Sequence, residues 1–162
     1  ILSAQLDAEG CDPRRLWHRY QEYVRANERA FPQSAFALAT SEWFFGSDDH
    51  RAPHDAWLES AVFEEPSSGK RSEIRSLSLR VRLLGAYHDQ YLELFYPRVF
   101  SYTFSHPTVA DGHFDWRYHE LRISDQGTLV HEIEWAGCPG VEGRWLLEAS
   151  DVQFSTSPRN AV

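Results

Sequence analysis

The clearest pattern in the chain is a strict alternation of apolar and polar residues between positions 74 and 84. The two alternating sets are Leu77, Leu79, Val81 and Leu83, and Ser76, Ser78, Arg80 and Arg82. A period of two places such sets on opposite faces of a β-strand. The segment 74–84 is therefore predicted to be a strand with one buried face.

Further apolar segments bounded by turn residues predict a β-rich second part of the chain. The predicted strands are 56–64, 74–84, 91–96, 99–104, 114–124, 128–135 and 145–154, preceded by a polar loop over 46–55. No connection after residue 55 has room for a crossover helix, which a parallel pair of strands requires. We therefore expect an antiparallel meander sheet of six to seven strands.

One hairpin of this sheet can be read in register. Asp125-Gln126-Gly127 suits a three-residue loop with Gly127 in the left-handed conformation. Pairing Ser124 with Thr128 then places the apolar residues of both strands on one face, which supports the register. The predicted opposite pairs are Ile123 and Leu129, Leu121 and His131, His119 and Ile133, Glu120 and Glu132, Arg122 and Val130, and Tyr118 and Glu134.

Two helices are predicted before the loop. Asp12-Pro13 is typical of an N-cap and first helical position, and Leu16 and Tyr20 begin an apolar stripe that favours a helix over about 13–30. A second helix is expected to begin at the cap Ser34 and to end before Gly46, with a strand around Phe36-Ala37-Leu38 as the alternative. The fold class is then α+β, a single domain (1–162) with a helical part over about 13–45 packed on one face of a β part over about 55–157.

Composition narrows the class of partner. The 162 residues include 16 basic and 24 acidic side chains, a formal charge of −8, which disfavours nucleic acid as a partner and favours a protein with a basic surface. No apolar run reaches the length of a membrane helix, so no membrane association is expected. Cys11 and Cys138 fit neither a metal spacing nor a disulfide framework, and we expect two unrelated thiols in a reducing, cytoplasmic compartment.

The loop offers one candidate metal site. His50, His54 and Asp55 carry side chains that bind zinc or iron, which would make the protein a metal-dependent hydrolase. Pro53 opposes the helical geometry that would present both histidines to one ion. We therefore prefer a solvated loop, with no cofactor and no catalytic residue, and keep the hydrolase as the alternative.

Two pairs of titratable residues in the predicted hairpin also merit attention. Glu120 and Glu132 would face each other directly, an arrangement that raises the pKa of one carboxyl group when both are shielded from solvent. Arg122, diagonal to Glu132, would instead neutralise them in a surface network, and we prefer solvated side chains on the open sheet face. On the apolar face, His119 and His131 would be diagonal neighbours. They could bind a metal ion or titrate near neutral pH, but such histidines are more often hydrogen-bonded members of a core.

The remaining signal is an aromatic-rich sheet face. Tyr91, Glu93 and Phe95 alternate with Leu92, Leu94 and Tyr96, so both faces of this strand carry large side chains. If the helices cover one face, the other presents aromatic rings beside arginine and glutamate, a composition typical of protein interfaces. The predicted partner-binding residues are Arg80, Arg82, Tyr91, Glu93, Phe95, Glu120 and Glu132. Burial of this face by a second copy, in a homodimer, is the other possibility.

Four short segments carry a resemblance to known proteins: His54-Asp55-x-Trp57-Leu58, Leu83-Leu84-Gly85-x-Tyr87-x-Asp89, Leu94-x-Tyr96-Pro97-x-Val99 and His131-Glu132-Ile133-x-Trp135. Together they resemble small bacterial α+β domains in the style of the immunity proteins of polymorphic-toxin systems. The resemblance spans about residues 54–157 and implies stoichiometric blocking of a toxin, without a catalytic residue to transfer. The sequence thus predicts a non-enzymatic, immunity-type inhibitor.

Overall fold

The computed structural model describes residues 12–106, 112–138 and 141–159 of the chain. Within these residues the chain forms three helices: α1 (Pro13–Ala26), α2 (Gln33–Ala39) and α3 (Glu42–Phe45). None of the described helices is both long and apolar enough to span a membrane. Cys11 and the side chain of Cys138 lie outside what is described, so the expectation for the two thiols stays a prediction.

Ten strands follow the helices in the described part of the chain. They are β1 (Trp57–Glu64), β2 (Ser67–Ser68), β3 (Ile74–Arg75), β4 (Ser78–Leu84), β5 (Gln90–Tyr96), β6 (Val99–Phe104), β7 (Trp116–Ile123), β8 (Leu129–Cys138), β9 (Val141–Ala149) and β10 (Gln153–Pro158). A first sheet has the order β1-β4-β5-β10, and a second has the order β6-β9-β8-β7. Strands β2 and β3 form a separate two-stranded ribbon.

The antiparallel α+β character is confirmed, but the single meander of six to seven strands is wrong. The predicted strand 145–154 is interrupted at residues 150–152, and its last part becomes β10, which returns to pair with β5 in the first sheet. After the turn at Pro97 and Arg98, β6 pairs with β9 instead of continuing beside β5. Alternation of side chains determines the faces of a strand and not its neighbours.

The hairpin of β7 and β8 has the predicted register. Every predicted pair from Ile123 opposite Leu129 to Tyr118 opposite Glu134 is present, and the turn closes with Ser124 bonded to Thr128. Gly127 has a φ of 77°, the left-handed conformation that the three-residue loop requires. Local turn chemistry and the apolar face therefore agree in this part of the chain.

Helix α1 has the N-cap that the sequence predicts, whereas α2 does not. Asp12 caps α1, because its Oδ1 accepts a hydrogen bond from the backbone N–H of Arg14 at 3.0 Å. Ser34, the predicted cap of the second helix, lies inside α2 instead. The backbone N–H of Ala35 donates to Oδ1 of Asp151 at 3.0 Å, so α2 is capped by a residue between β9 and β10.

The predicted second helix is divided into α2 and α3. At the break, the hydroxyl of Thr40 donates to the carbonyl of Phe36 at 2.8 Å and that of Ser41 donates to the carbonyl of Ala37 at 2.6 Å. Hydroxyl groups that bond to the preceding helical turn compete with continuation of the helix. The chain bends here, so that the short helix α3 lies beside β7 and its Phe44 is fully buried.

Helix α1 packs along the edge of the second sheet instead of across a sheet face. The Tyr20 hydroxyl donates to the Leu121 carbonyl at 2.9 Å and accepts from the Leu121 backbone N–H at 3.2 Å. The Tyr23 hydroxyl accepts from the N–H of Ile123 at 2.9 Å. Two tyrosines thus satisfy the outward backbone groups of the edge strand β7, while Leu16 and Val24 of the same helix are buried in the core.

The two four-stranded sheets enclose a common core. Buried side chains of both sheets belong to one apolar cluster: Leu79, Val81, Leu83, Leu92, Leu94 and Tyr96 from the first, and Trp116, Leu121, Ile133, Trp135, Trp145 and Leu147 from the second. Helix α2 contacts both β7 and β10, the edge strands on one side of this core. The helices therefore close a side between two sheets and leave the outer faces of the sheets to other contacts.

Candidate functional site

The structure distributes the predicted partner-binding residues over two different sheets. Five of them share the outer face of the first sheet: Arg80, Arg82, Tyr91, Glu93 and Phe95. Strand β4 pairs with β5 so that Arg80 lies opposite Phe95 and Arg82 opposite Glu93. The other two, Glu120 and Glu132, lie opposite each other on β7 and β8 of the second sheet. The seven residues therefore do not form one continuous site.

On the first sheet, each arginine is held against an aromatic ring. The guanidinium carbon of Arg82 lies 3.8 Å from the ring centroid of Tyr91, and that of Arg80 lies 4.7 Å from the ring centroid of Phe95. Nη1 of Arg80 is also 3.5 Å from a carboxylate oxygen of Glu93. These contacts, cation–π pairs with a carboxylate between them, fix flat groups in place on the sheet surface. We call these five residues the arginine–aromatic face.

The carboxylate pair on the second sheet is already engaged. Glu132 forms an ion pair with Arg144 and lies 3.9 Å from Arg122. Glu120 is only 2% exposed, although it lies on the strand face that the hairpin register directs away from the core. Glu120 therefore has almost no surface to offer a partner, whereas Glu132 belongs to a surface ion-pair network.

The candidate metal-ligating residues have separate partners. Nδ1 of His50 lies 2.6 Å from Oδ2 of Asp89, and the ring of His50 stacks on Tyr87 with centroids 3.9 Å apart. Nδ1 of His54 lies 3.1 Å from Oδ1 of the adjacent Asp55. Over the described ranges, no three histidine, cysteine, aspartate or glutamate side chains converge in a way that could hold a metal ion.

His119 and His131 form a buried chain of hydrogen bonds that joins three parts of the molecule. Nδ1 of His131 on β8 lies 2.7 Å from the hydroxyl of Tyr96 on β5, and its Nε2 lies 3.2 Å from Nδ1 of His119 on β7. Nε2 of His119 lies 3.0 Å from the carbonyl oxygen of Phe44 on α3. The two histidines are the core residues that their apolar neighbours in the sequence predicted.

The Phe44 carbonyl at the end of this chain of hydrogen bonds determines which atom carries the proton in each of them. The oxygen of Phe44 only accepts, so Nε2 of His119 carries the proton and its Nδ1 accepts from Nε2 of His131. Nδ1 of His131 must then accept from the Tyr96 hydroxyl. Burial lowers the pKa of His119 to about 3, and burial followed by the neighbouring His119 lowers the pKa of His131 well below its usual value. Both rings are therefore neutral at physiological pH.

Beside His119 lies a cavity of about 530 Å³ that the sequence did not reveal. Its walls come from α1, from α3 and the residues after it, and from the first half of β7, and they include Trp17, Phe45 and Tyr118. Its size is within the range of small-molecule binding sites, which are concave and mostly apolar. The three walls are distant in sequence, and only the aromatic richness of 43–45 was visible beforehand.

Comparison with known proteins adds no relative. No protein-family model matches the chain, and no curated protein matches it either. The resemblance to immunity proteins thus stays a prediction that depends on the four segments quoted above.

Proposed function

We propose that the protein is a non-enzymatic binding domain, an immunity-type inhibitor that docks on a toxin or effector through its arginine–aromatic face. The observation that supports the proposal is the ordered stacking of Arg82 on Tyr91 and of Arg80 on Phe95. Arginine and aromatic side chains dominate the energetics of protein interfaces. Side chains already held in one conformation lose less entropy when a partner binds.

Neighbouring strands extend this face with small and apolar side chains. Val62 of β1 is paired with Arg80 and is 47% exposed, and serines of β10 flank β5 on the other side. A flat surface with rigid rings at its centre and small residues around them suits contact with another folded protein. Arg80 and Glu93 keep side-chain exposures of 46% and 29%, so this face is accessible to a partner.

In this proposal the net charge of the molecule attracts the partner, whereas the arginine–aromatic face contacts it. The arginine–aromatic face contains two cations and one anion, so the acidic residues that give the chain its formal charge of −8 lie mostly elsewhere on the molecule. A net negative field accelerates the approach of a partner with a basic surface and contributes less to the final affinity. We therefore propose a basic protein as the partner, with its own carboxylate or carbonyl groups meeting the arginines.

The alternative of a metal-dependent hydrolase has less support. Nδ1 of His50 is hydrogen-bonded to Asp89, whereas Nδ1 of His54 lies near Asp55 without a hydrogen bond, so the two rings do not converge on one point. A catalytic metal site requires about three protein ligands that converge on one point. We therefore retain the binding function alone.

A pull-down with the tagged chain, followed by reconstitution with the purified captured protein, tests the proposal. The Arg80→Ala variant removes the stack on Phe95 and the contact with Glu93. The matched control is Arg144→Ala, which removes an exposed, glutamate-paired arginine from the outer face of the second sheet. We expect Arg80→Ala to weaken the complex at least about tenfold, and Arg144→Ala to leave it within about twofold.

The function of the partner gives the second readout. The captured protein should be toxic or enzymatically active when free and inactive in an equimolar complex with the wild-type chain. Equal affinities for the two variants would assign the contact to another surface. A partner that retains full activity in the complex would refute the inhibitory role.

A further inference from the structure

The cavity beside α1, α3 and β7 has the chemistry of a site for an organic cation. Trp17, Phe44, Phe45 and Tyr118 supply four aromatic rings to its lining. The rings of Trp17 and Phe45 have centroids 5.0 Å apart, so they form a continuous wall. The face of an aromatic ring carries negative electrostatic potential and attracts a cation that has shed its water.

The ionisable groups of the lining leave one negative charge unmatched. Glu42 is exposed and forms no ion pair in the described part of the chain. Arg117 also lines the cavity, but its Nη1 lies 3.5 Å from a carboxylate oxygen of Glu134 and its guanidinium lies over the ring of Tyr118. His54 also lines the cavity, and its Nδ1 lies 3.1 Å from a carboxylate oxygen of Asp55 without a hydrogen bond to it. The charge that a ligand would complement is therefore the carboxylate of Glu42.

The inner wall of the cavity is preorganised. The ring of His119 stacks on Phe45 with centroids 4.6 Å apart and an interplanar angle of 8°. Its hydrogen bond to the Phe44 carbonyl fixes the same ring from the other side. Because burial lowers the pKa of His119 and keeps its ring neutral, this wall adds no positive charge that would repel a cation.

We propose that this cavity binds a small organic cation, an ammonium group attached to an apolar or aromatic body. The apolar body occupies the ring-lined volume of about 530 Å³, and the ammonium group lies near the carboxylate of Glu42. The formal charge of −8 raises the local concentration of such cations at the surface. This site is separate from the arginine–aromatic face, so the proposal does not depend on the proposed inhibitory function.

Three probes test the proposal. Each contains one benzene ring, and they differ in charge: benzyltrimethylammonium, benzyl alcohol and benzenesulfonate. Binding is measured by calorimetry and by the change in tryptophan fluorescence. We expect the cation to bind with a Kd on the order of 1 mM or below and the neutral and anionic probes to bind at least about fivefold more weakly. An anion that binds as well as the cation would overturn the proposal, because Arg117 would then dominate the site.

Two variants locate the binding event. Glu42→Gln should weaken benzyltrimethylammonium binding about three- to fivefold, whereas the control Glu59→Gln, an exposed carboxylate on β1, should leave it unchanged. Ser47→Phe should block the cavity, with Ser155→Phe on β10 as its control, and thermal unfolding checks that each variant is folded. Equal binding by Glu42→Gln and Glu59→Gln, or full binding by Ser47→Phe, would place the cation elsewhere and refute the site.

Discussion

The two neutral histidines between the sheets have every ring nitrogen in a hydrogen bond. Tyr96, His131, His119 and the carbonyl of Phe44 form one line of hydrogen bonds in which each donor has a single possible acceptor. Buried polar groups are stable only when each has a partner, and here all four are satisfied without any charge. The line ties the first sheet, the second sheet and α3 together.

Removal of the first donor of this line should be costly. In Tyr96→Phe the ring keeps its packing, but Nδ1 of His131 becomes a buried acceptor without a partner. We expect the free energy of unfolding, measured by urea denaturation, to fall by about 1–3 kcal/mol. Tyr87→Phe, at a side chain that is 50% exposed, is the control and should change stability by less than about 0.5 kcal/mol. A Tyr96→Phe protein as stable as the wild type would show that the hydrogen bond is absent in solution.

At the scale of elements, the turn between β7 and β8 can be tested with a matched pair of glycines. An added Cβ meets no atom within 4 Å at either Gly127 or Gly112, but only Gly127 has a positive φ. Gly127→Ala should therefore lower the free energy of unfolding by about 1–2 kcal/mol through backbone strain alone. Gly112→Ala should be neutral or slightly stabilising. Equal effects in thermal unfolding would contradict the left-handed turn.

The cap of α2 provides a second test at this scale. Asp151→Ala removes the acceptor for the backbone N–H of Ala35 and for that of Val152, so α2 loses both its cap and its tie to the loop between β9 and β10. We expect a loss of about 1–2 kcal/mol in chemical denaturation. The exposed Asp125→Ala serves as the control. If only Asp125→Ala lowered the free energy of unfolding, Asp151 would not be the cap of α2.

These elements also show how far the sequence alone can be interpreted. Gly127 and the apolar face around Ile133 lie in one short hairpin, so local chemistry was enough to predict its register. The cap of α2 comes from Asp151, more than one hundred residues away along the chain, and β10 pairs with β5, from which it is separated by four other strands in the sequence. Such contacts depend on how the sheets meet, which neither periodicity nor turn propensity encodes.

The candidate sites follow the same distinction. The alternation in the segments around Arg80 and Phe95 determines which face of its strand each residue occupies. The structure places the two residues opposite each other on one sheet face. Glu120 and Glu132 do not join these residues, because they lie on the second sheet and Glu120 is buried. The cavity beside Trp17 was missed because its walls are joined only by the tertiary fold.

For the molecule as a whole, the buried histidines predict an acid-sensitive fold. Burial lowers the pKa of His119 to about 3, whereas the unfolded chain binds this proton near pH 6.5. The unfolded state therefore takes up more protons below pH 6.5, and stability falls as the pH decreases from 6.5 towards 3. His131, whose pKa is lowered in the same direction, adds to the effect.

Urea unfolding as a function of pH measures this effect. We expect a constant contribution from these histidines above about pH 7 and a loss of up to about 1.4 kcal/mol per pH unit for each of them below pH 6. His119→Gln should reduce the slope of this loss, even though it lowers stability at neutral pH. The exposed His18→Gln is the control, and a His119→Gln profile with the wild-type slope would show that other groups cause the acid sensitivity.

The hydrogen bonds that the tyrosines of α1 form with β7 have a consequence for self-association of the molecule. Because Tyr20 and Tyr23 occupy the outward N–H and C=O groups of an edge strand, removal of the helix would turn that strand into a template for stacking further copies. Helix α1 therefore prevents further copies from pairing with β7. We expect fibrous aggregates after any cleavage of the chain that releases this helix.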